Sequence, residues 1–400
     1  MNRTRLAVLA LAAWVGTASC SNAPFTDPKW SSHAGVQVLR LRWVKNLAPS
    51  LPNFYIPEMI EQHDRFKPVE TGGAAFDTDK GRAFVGAAIG GLSCLDLRDG
   101  ETMWRYSIDD PVGSTPLYDA ARKRVYFGAD DGLLYAVHAR SGRLLWSTDT
   151  GAEIQRSIIM RDDTLYVANA DNTVYAIDPN GGEVVWRYRK PPVEGFSANG
   201  YSDVLHTGTA VIAAFADGTV SSLDAITGAE NWSSDLAAEV VAATGEGQIN
   251  LVDADATPAL VGSTLASASV SGGLWGLDVA TGNVIWTRPD LVGITGLAAA
   301  NGMFFAAFAG GKGLCAISKE RGETSWCSAF GSGVLRDPVL YEDVFLISDS
   351  EEGLFVVATS TGKVLERLNP KNGLFSQPVE YGGYLVVMGN RSTVYALSIL

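Results

Sequence analysis

The chain has 400 residues, of which 46% are hydrophobic, and its 44 acidic side chains outnumber 31 basic ones, giving a net charge of −13. This acidity argues against a nucleic-acid-binding protein and against attraction to anionic lipid, because both partners are themselves negatively charged. The chain has four histidines, and none stands at a spacing typical of metal ligands. The composition therefore predicts neither a nucleic-acid partner nor a metal site built on histidine.

The first residues have the features of a secretory signal. Arg3 and Arg5 supply positive charge, and the apolar run from Leu6 to Val15 is too short to span a bilayer. The run ends in Thr-Ala-Ser-Cys, which resembles a bacterial lipobox and predicts that Cys20 is acylated. Simple cleavage without acylation is the alternative.

Cleavage after residue 19 has two consequences. Residues 1–19 carry two arginines and no acidic residue, so the net charge would change from −13 to −15. The residue after Cys20 is Ser21 rather than the Asp that typically retains lipoproteins in the inner membrane. We therefore expect an outer-membrane lipid anchor with the protein facing the periplasm, and residues 20–36 to form a flexible tether.

One pattern repeats along residues 37–400. It consists of an alternating apolar run, a turn that ends in Gly, and a second run that ends in Trp, as in GLLYAVHARSGRLLW (132–146) and GGLWGLDVATGNVIW (272–286). The period of two predicts strands, and the Gly allows a positive φ in the turn. Each copy is thus predicted to be a β-hairpin, the outer half of a four-stranded unit. The repeat-ending tryptophans are Trp43, Trp104, Trp146, Trp186, Trp232, Trp286 and Trp326.

The spacing of these tryptophans predicts the architecture. From Trp104 onward the gaps are 42, 40, 46, 54 and 40 residues, against roughly 40–50 residues for a propeller blade. The two longest gaps hold insertions at about 190–203 and 236–250. Residues 392–397 form a copy without a return strand, and residues 38–43 form a return strand without a hairpin. Pairing them predicts an all-β fold, an eight-bladed β-propeller of four-stranded antiparallel blades closed by the N-terminal strand.

The repeated side chains are predicted to be structural. Each Trp should pack between neighbouring blades with its N–H on a backbone carbonyl, ligand stacking being the alternative. An Asp that recurs in the hairpins should brace the turn by accepting backbone N–H groups, and His138 occupies the same position. Glu366 stands where the last full copy should have Trp. The four aspartates are Asp96, Asp178, Asp224 and Asp278.

The cysteines other than Cys20 also fall on predicted strands. Cys315 and Cys327 lie on the two strands of one hairpin, at similar distances from its turn. In an oxidising compartment they could form a cross-strand disulfide or remain as free thiols. Cys94 has an inward strand position and is predicted to be an inert core thiol.

Two segments depart from the repeat and are the candidate functional regions. Residues 190–201 place Phe196 and Tyr201 in an interruption between repeats, and residues 248–258 place Asp253 and Asp255 one residue apart. On a strand these two carboxylates face the same side. Three interpretations stay open, namely a solvated loop end, a docking point for basic side chains of a partner, and a Ca²⁺ site, which would need six to eight oxygens.

The repeat is similar, over residues 38–400, to the pyrroloquinoline-quinone (PQQ) propeller repeat. Two families share it, the PQQ-dependent dehydrogenases and the BamB lipoproteins of outer-membrane protein assembly. The dehydrogenases are longer and carry a vicinal cysteine pair, whereas this sequence has no adjacent cysteines. The segment LVDADATPAL (251–260) resembles the BamB segment whose two aspartates help bind the POTRA domains of BamA. The resemblance implies that role for Asp253 and Asp255.

A second BamA-binding segment of that family reads Leu-Ser-Leu-Arg before a Gly. Here Phe196-Ser197-Ala198-Asn199 precedes Gly200, so Phe196 is an apolar replacement, while Ala198 is small and Asn199 lacks the positive charge. The resemblance implies a partner-binding role for Phe196, Ala198 and Asn199.

Taken together, these features predict a non-catalytic scaffold of outer-membrane β-barrel assembly, without a cofactor. Its partners would be BamA-like POTRA domains, other subunits of the machinery and unfolded outer-membrane proteins. Two alternatives remain, a periplasmic oxidoreductase dependent on PQQ or a metal, and a propeller lipoprotein that binds another envelope partner.

Overall fold

A computed structural model describes residues 37–48, 70–191, 202–236, 256–269, 271–370, 373–390 and 392–400, together with the backbone of 29–32. These residues form eight antiparallel sheets, and the sequence-based prediction of an eight-bladed propeller is confirmed. Within the described ranges, no helix has the length and apolar character needed to cross a membrane. The strands, with one 3-10 helix at Thr78–Lys80, are β1 (Lys29–Ser32), β2 (Leu39–Asn46), β3 (Ala74–Asp77), β4 (Arg82–Ala87), β5 (Gly91–Asp96), β6 (Thr102–Tyr106), β7 (Leu117–Asp119), β8 (Arg124–Gly128), β9 (Leu133–His138), β10 (Leu144–Asp149), β11 (Ile159–Arg161), β12 (Thr164–Asn169), β13 (Thr173–Ile177), β14 (Val184–Arg189), β15 (Leu205–His206), β16 (Ala210–Ala214), β17 (Thr219–Asp224), β18 (Glu230–Asp235), β19 (Ala259–Val261), β20 (Thr264–Ser269), β21 (Gly273–Asp278), β22 (Val284–Arg288), β23 (Ile294–Ala300), β24 (Met303–Phe308), β25 (Leu314–Ser318), β26 (Thr324–Ser328), β27 (Val339–Tyr341), β28 (Val344–Asp349), β29 (Gly353–Ala358), β30 (Val364–Asn369), β31 (Val379–Tyr381), β32 (Tyr384–Gly389) and β33 (Thr393–Ile399).

The blades follow one another along the chain. Blade 1 is β3 to β6, and each later set of four strands forms the next blade through β27 to β30 in blade 7. Blade 8 combines β31, β32 and β33 with β2, whose residues Leu39 to Asn46 pair with Ile399 to Thr393. The ring is therefore closed by strands from opposite ends of the chain, which leaves no open edge at the seam.

Blade 7 has a fifth strand. Lys29–Ser32 pair with Asn369–Glu366 along the outer edge of β30. These four residues belong to the segment that the sequence predicts as a tether. Their pairing supplies partners for backbone groups at the outer edge of the blade, which would otherwise face solvent.

The hydrophobic core consists of layers between neighbouring blades. One layer joins Phe84 and Cys94 of blade 1 to Val125 and Phe127 of blade 2, and another joins Trp43 and Met388 of blade 8 to Val85 of blade 1. Because each sheet buries both faces against its neighbours, its middle strands read as apolar on both sides. Cys94 is a free, buried thiol, and burial raises its pKa to about 12.

Six of the seven repeat-ending tryptophans form a hydrogen bond to the next blade. The Trp186 Nε1 donates to the Ala225 carbonyl at 3.0 Å, and the other five such bonds join Trp43 to Leu97, Trp104 to Ala139, Trp146 to Pro179, Trp232 to Val279 and Trp286 to Lys319. The acceptor always lies in the outer hairpin turn of the following blade. Gly228 in this turn has a positive φ of 71°. Any other residue would also clash, because a Cβ at this position would lie 2.6 Å from the Trp186 ring.

The repeated aspartates stabilise the same turns by accepting hydrogen bonds from backbone N–H groups of the turn. Asp178 Oδ1 accepts the Asn180 N–H at 2.9 Å, and Asp224 Oδ1 accepts the Thr227 N–H at 2.8 Å. Asp96 and Asp278 make the equivalent contacts. At the same position, His138 Nδ1 lies 3.2 Å from the Ser141 hydroxyl. These contacts satisfy turn N–H groups that have no strand partner.

Glu366 replaces Trp at this repeat position because ring closure places backbone N–H groups there instead of a carbonyl. The next blade has no outer hairpin turn, since its last two strands come from the two ends of the chain. Glu366 Oε2 instead accepts the Val38 and Leu39 N–H groups at 2.7 and 2.9 Å. The side chain is 1% exposed. An acceptor is therefore required at the one position where a Trp donor would have no turn carbonyl to reach.

A disulfide bond joins Cys315 on β25 to Cys327 on β26, with the Cα atoms 4.1 Å apart. The two residues are directly opposite in the strand register. The bond therefore cross-links the outer hairpin of blade 6.

The two ends of the ring differ in their connections. Within a blade, the chain runs out from the central channel through four antiparallel strands. The turn between the second and third strands and the connection to the next blade therefore share one face, which we call the connection face. The turns that join the first strand to the second, and the third to the fourth, share the opposite face, which we call the turn face.

Candidate functional site

Both irregular segments begin and end on the connection face. Residues 190–204 join β14 of blade 3 to β15 of blade 4, and residues 236–258 join β18 of blade 4 to β19 of blade 5. They therefore enter and leave the same blade on the same face. The predicted partner-binding residues Phe196, Ala198, Asn199, Asp253 and Asp255 lie outside the described residues, as does Cys20.

Blades 3 and 4 hold the start of the first segment. The Lys190 N–H donates to the Asn172 carbonyl at 3.0 Å, and its ammonium donates to the Ser233 hydroxyl at 2.9 Å. The ammonium also lies 6.0 Å from the centre of the Phe215 ring. Asn172 has a φ of 52° and accepts the Ala216 N–H at 3.3 Å. These contacts fix where the segment leaves blade 3.

The end of the first segment is equally well anchored. The Ser202 N–H donates to the Ala214 carbonyl at 3.3 Å, and the hydroxyl accepts the Ala214 N–H at 3.3 Å. The next residue, Asp203, accepts the Ser157 N–H at 2.6 Å and its hydroxyl at 3.0 Å. Because Ser157 precedes the first strand of blade 3, Asp203 links two consecutive blade connections.

The second segment is anchored by apolar contacts. Leu236 is fully buried in a cluster with Ile212 and Trp275, and its N–H donates to the Gly218 carbonyl at 3.2 Å. Ala256, directly after Asp255 in the chain, is 1% exposed and packs in the layer between blades 5 and 6. Buried apolar residues therefore bound the segment on both sides.

An acidic recess lies on the connection face between blades 2 and 3. Asp130, Asp131, Glu153 and Asp171 line a cavity of about 510 Å³. Burial, followed by the neighbouring charges of Glu153, Asp110 and Asp131, raises the pKa of Asp130 to about 6, although Gln155 donates to its carboxylate at 3.1 Å. At the rim, Arg189 forms an ion pair with Asp171 at 2.6 Å. The recess is therefore a concentration of negative charge beside blade 3.

The acidic recess is not apparent from the sequence. Its residues occur in the turns Ala-Asp-Asp-Gly (129–132) and Ala-Asp-Asn (170–172), which have ordinary turn composition. The available signal was the position of these acids in the repeat. The three aspartates follow the second strand of a blade and Glu153 follows the fourth strand of blade 2, so all four acids lie on the connection face.

Charged side chains also meet around the central channel of the connection face. The Asp337 carboxylate accepts the Leu297 N–H at 3.0 Å. Burial raises the pKa of Asp337 to about 6, with a further increase from Asp203 and opposing effects of Arg336 and Arg156. Arg336 in turn lies 5.1 Å from the centre of the Phe375 ring.

We looked for other chemistry in the described part of the chain. It holds no group of three or more His, Cys, Asp or Glu side chains arranged to bind a metal ion. His206 lies at the start of blade 4, where burial lowers its pKa and its Nδ1 accepts the Gly208 N–H at 3.1 Å. These contacts account for His206 as part of a turn.

Known proteins resemble this chain over most of its length. The sequence profile of the family described as outer membrane protein assembly factor BamB matches residues 88–328 and 276–400. The BamB of Shewanella oneidensis is 24% identical over 333 residues, which cover 80% of this chain and 82% of that protein. The BamB of Yersinia pestis is 22% identical and covers 84% of this chain and 85% of its own length.

Solved structures show the same fold. The crystal structure of BamB from Moraxella catarrhalis superposes with a TM-score of 0.69 at 22% identity, covering 83% of this chain and 98% of that one. A quinohemoprotein alcohol dehydrogenase from Pseudomonas putida gives a TM-score of 0.64 at 14% identity, covering 90% of this chain and 76% of that one. The profile match, which spans more than half of the sequence, decides between the two: this chain belongs to the BamB family of outer membrane protein assembly factors.

Proposed function

We propose that this chain is a non-catalytic scaffold of the outer-membrane β-barrel assembly machinery and that it docks on a POTRA domain of BamA. The observation that carries the proposal is topological. The only two long insertions between the repeat-ending tryptophans enter and leave blade 4 on one face. Family membership supports the general role, since the relatives are named assembly factors.

The chemistry of the two segments suits a protein contact. Phe196 would provide an apolar anchor, and Asp253 and Asp255 would pair with basic side chains of the partner. Ala198 and Asn199 would contact the partner beside Phe196 without adding charge. The anchored ends at Ser202 and Ala256 support this arrangement, because they limit the conformational entropy that the connections can lose on binding.

The acidic recess would extend the same contact electrostatically. Its carboxylates lie beside blade 3, next to the start of the first segment. A negatively charged surface accelerates encounter with a basic partner and disfavours acidic competitors. The partner surface should therefore be basic where it faces blades 2 to 5.

The anchor completes the proposal. Cys20 would be acylated and held in the outer membrane, with the propeller facing the periplasm. In that position the scaffold could contact other subunits of the machinery and unfolded outer-membrane proteins. No cofactor is needed for this role.

Co-purification of BamA from a detergent-solubilised envelope tests the docking step. The wild-type chain should capture BamA, and Asp253→Ala/Asp255→Ala should reduce recovery at least tenfold, equivalent to about 1.4 kcal/mol. The matched control is Glu320→Ala/Glu323→Ala, which removes two exposed carboxylates from the turn face. It should leave recovery unchanged. Absence of BamA from the wild-type eluate, or equal recovery with both double variants, would refute the proposal.

A further inference from the structure

A second recess lies on the turn face, between blades 1 and 2. It has a volume of about 460 Å³ and is lined by Asp77, Lys80, Arg82, Tyr118, Lys123, His138, Ala139 and Arg140. We call it the basic recess. Lys80 and Arg82 come from the first turn of blade 1, and the other cations come from the turns of blade 2. It is therefore assembled from three turns that are remote in sequence.

The charge of the basic recess is opposite to that of the molecule. Lys80, Arg82, Lys123 and Arg140 are four permanent cations, whereas the chain as a whole has a net charge of −13. The buried Asp77 lines the recess and faces Arg82 across the strand pair. Asp96 lies opposite Arg82 on the other neighbouring strand and forms an ion pair with Arg98. The lining therefore holds four cations and one carboxylate.

These cations also lack ion-pair partners. Among the residues that the structure describes, no carboxylate lies within 4.0 Å of the charged nitrogens of Lys80, Arg82, Lys123 or Arg140. The Arg82 Nε is buried and has no hydrogen-bond partner there. By contrast, the neighbouring Arg122 forms ion pairs with Asp119 at 3.0 Å and with Asp163. A buried donor without a partner carries a desolvation cost that a bound anion would remove.

The remaining lining indicates the size and character of the ligand. Burial, followed by the charge of Asp77 and a hydrogen bond to its carboxylate, raises the pKa of Tyr118 to about 12, so its hydroxyl stays protonated and serves as a donor. The Tyr118 ring, the Ala139 side chain and the aliphatic parts of the cations provide apolar surface. The volume is within the usual range for small-molecule sites, about 300–1,000 Å³, and exceeds the needs of an inorganic ion.

We propose that the basic recess binds a phosphate group carried on a small organic moiety, either a soluble phosphomonoester or the headgroup of a phospholipid. Arg82 and the two lysines would contact the phosphate oxygens, and Tyr118 would contact the attached group. The site is on the turn face, whereas the two irregular segments begin and end on the connection face. Binding here is therefore independent of the docking proposed above.

Two probes distinguish the sources of the phosphate. Calorimetry with glycerol 3-phosphate tests a soluble ligand, and co-sedimentation with phosphatidylcholine vesicles containing phosphatidylglycerol tests a headgroup. The full-length chain carries Cys20→Ser in both experiments, so that an acyl anchor cannot account for vesicle binding. Low salt is used first, because screening weakens exposed charge contacts.

The test variant is Lys123→Gln/Arg140→Gln, and the matched control is Lys319→Gln/Arg321→Gln, which removes the same charge from an outer turn of blade 6 on the same face. We expect at least one probe to bind, with affinity reduced at least tenfold in the test variant and less than twofold in the control. Binding of glycerol 3-phosphate alone assigns a soluble ligand, and binding of the vesicles alone assigns a headgroup. If neither probe binds the wild-type chain, or if both double variants weaken binding equally, the proposal is overturned.

Discussion

The turn face and the connection face are built from the same repeat, but the repeated contacts are more regular on the turn face. On the turn face, each of six tryptophans bonds to a carbonyl of the next blade, and each of four aspartates holds a turn. On the connection face, the lengths and charges of the connections vary, and both irregular segments begin and end there. The difference indicates that the turn face maintains blade-to-blade geometry, while the connection face is free to vary, which suits it to the docking proposed above.

Replacing one inter-blade tryptophan should give the largest effect on stability. Trp186→Ala removes a side chain that is 8% exposed and its hydrogen bond to Ala225. We expect a loss of about 3–5 kcal/mol in the free energy of unfolding, measured by urea denaturation. Trp186→Phe keeps most of the apolar surface and should lose about 1 kcal/mol. Equal losses in the two variants would show that packing of the ring contributes little to stability and that the hydrogen bond contributes most of it.

Ring closure on the turn face can be tested at Glu366. Glu366→Ala leaves the Val38 and Leu39 N–H groups without their acceptor, at about 1–3 kcal/mol for each buried group. We expect a loss of about 3 kcal/mol in urea denaturation. Glu366→Trp restores the repeat in sequence but should also destabilise the protein, because Trp cannot accept these bonds. A more stable Glu366→Trp variant would show that the repeat, and not the closure, determines this position.

The acidic recess predicts a smaller, pH-dependent effect on the connection face. The folded pKa of Asp130 is about 6, above the ordinary value near 3.9. The folded state therefore binds more protons, and the contribution of this group to stability falls as pH rises from about 4 to 6. Asp130→Asn should increase the free energy of unfolding at pH 7.5 by about 1 kcal/mol after allowance for solvent screening.

The gain should become small near pH 4, where the wild-type carboxyl is protonated in the folded state and about half protonated in the unfolded state. Thermal unfolding at pH 4, 6 and 7.5 checks this dependence. Asp131→Asn, at the exposed rim of the same recess, is the matched control and should show a weaker trend. A pH-independent gain in Asp130→Asn would rule out the titration as its cause.

Partner capture sharpens the comparison between the faces. Trp186→Ala should reduce capture of BamA only in proportion to the unfolded fraction. Asp253→Ala/Asp255→Ala should reduce capture of BamA although the variant is as stable as the wild type, with the same midpoint in urea denaturation. If the loss of BamA capture matches the unfolded fraction in both variants, the proposal that docking depends on the connection face is wrong.

The blade count and the ring closure could be read from the sequence. Strand alternation, turn glycines and tryptophans at a nearly constant period are local signals, and Trp43 without a hairpin matched a final hairpin without Trp. The pairing of β2 with β33 confirms that closure. Sequence period also located the two insertions, because an inserted segment lengthens the gap between repeat positions.

Tertiary structure alone decided the contacts that join distant parts of the chain. The acceptor role of Glu366 depends on residues 327 and 328 positions away, and Lys29–Ser32 pair with an outer edge that no local pattern identifies. The acidic and basic recesses form where turns of neighbouring blades meet, so their charges are dispersed among ordinary turns in the sequence. The repeat thus determined the fold because its signals are local, whereas the recesses and the seam depend on contacts that exist only after the ring has closed.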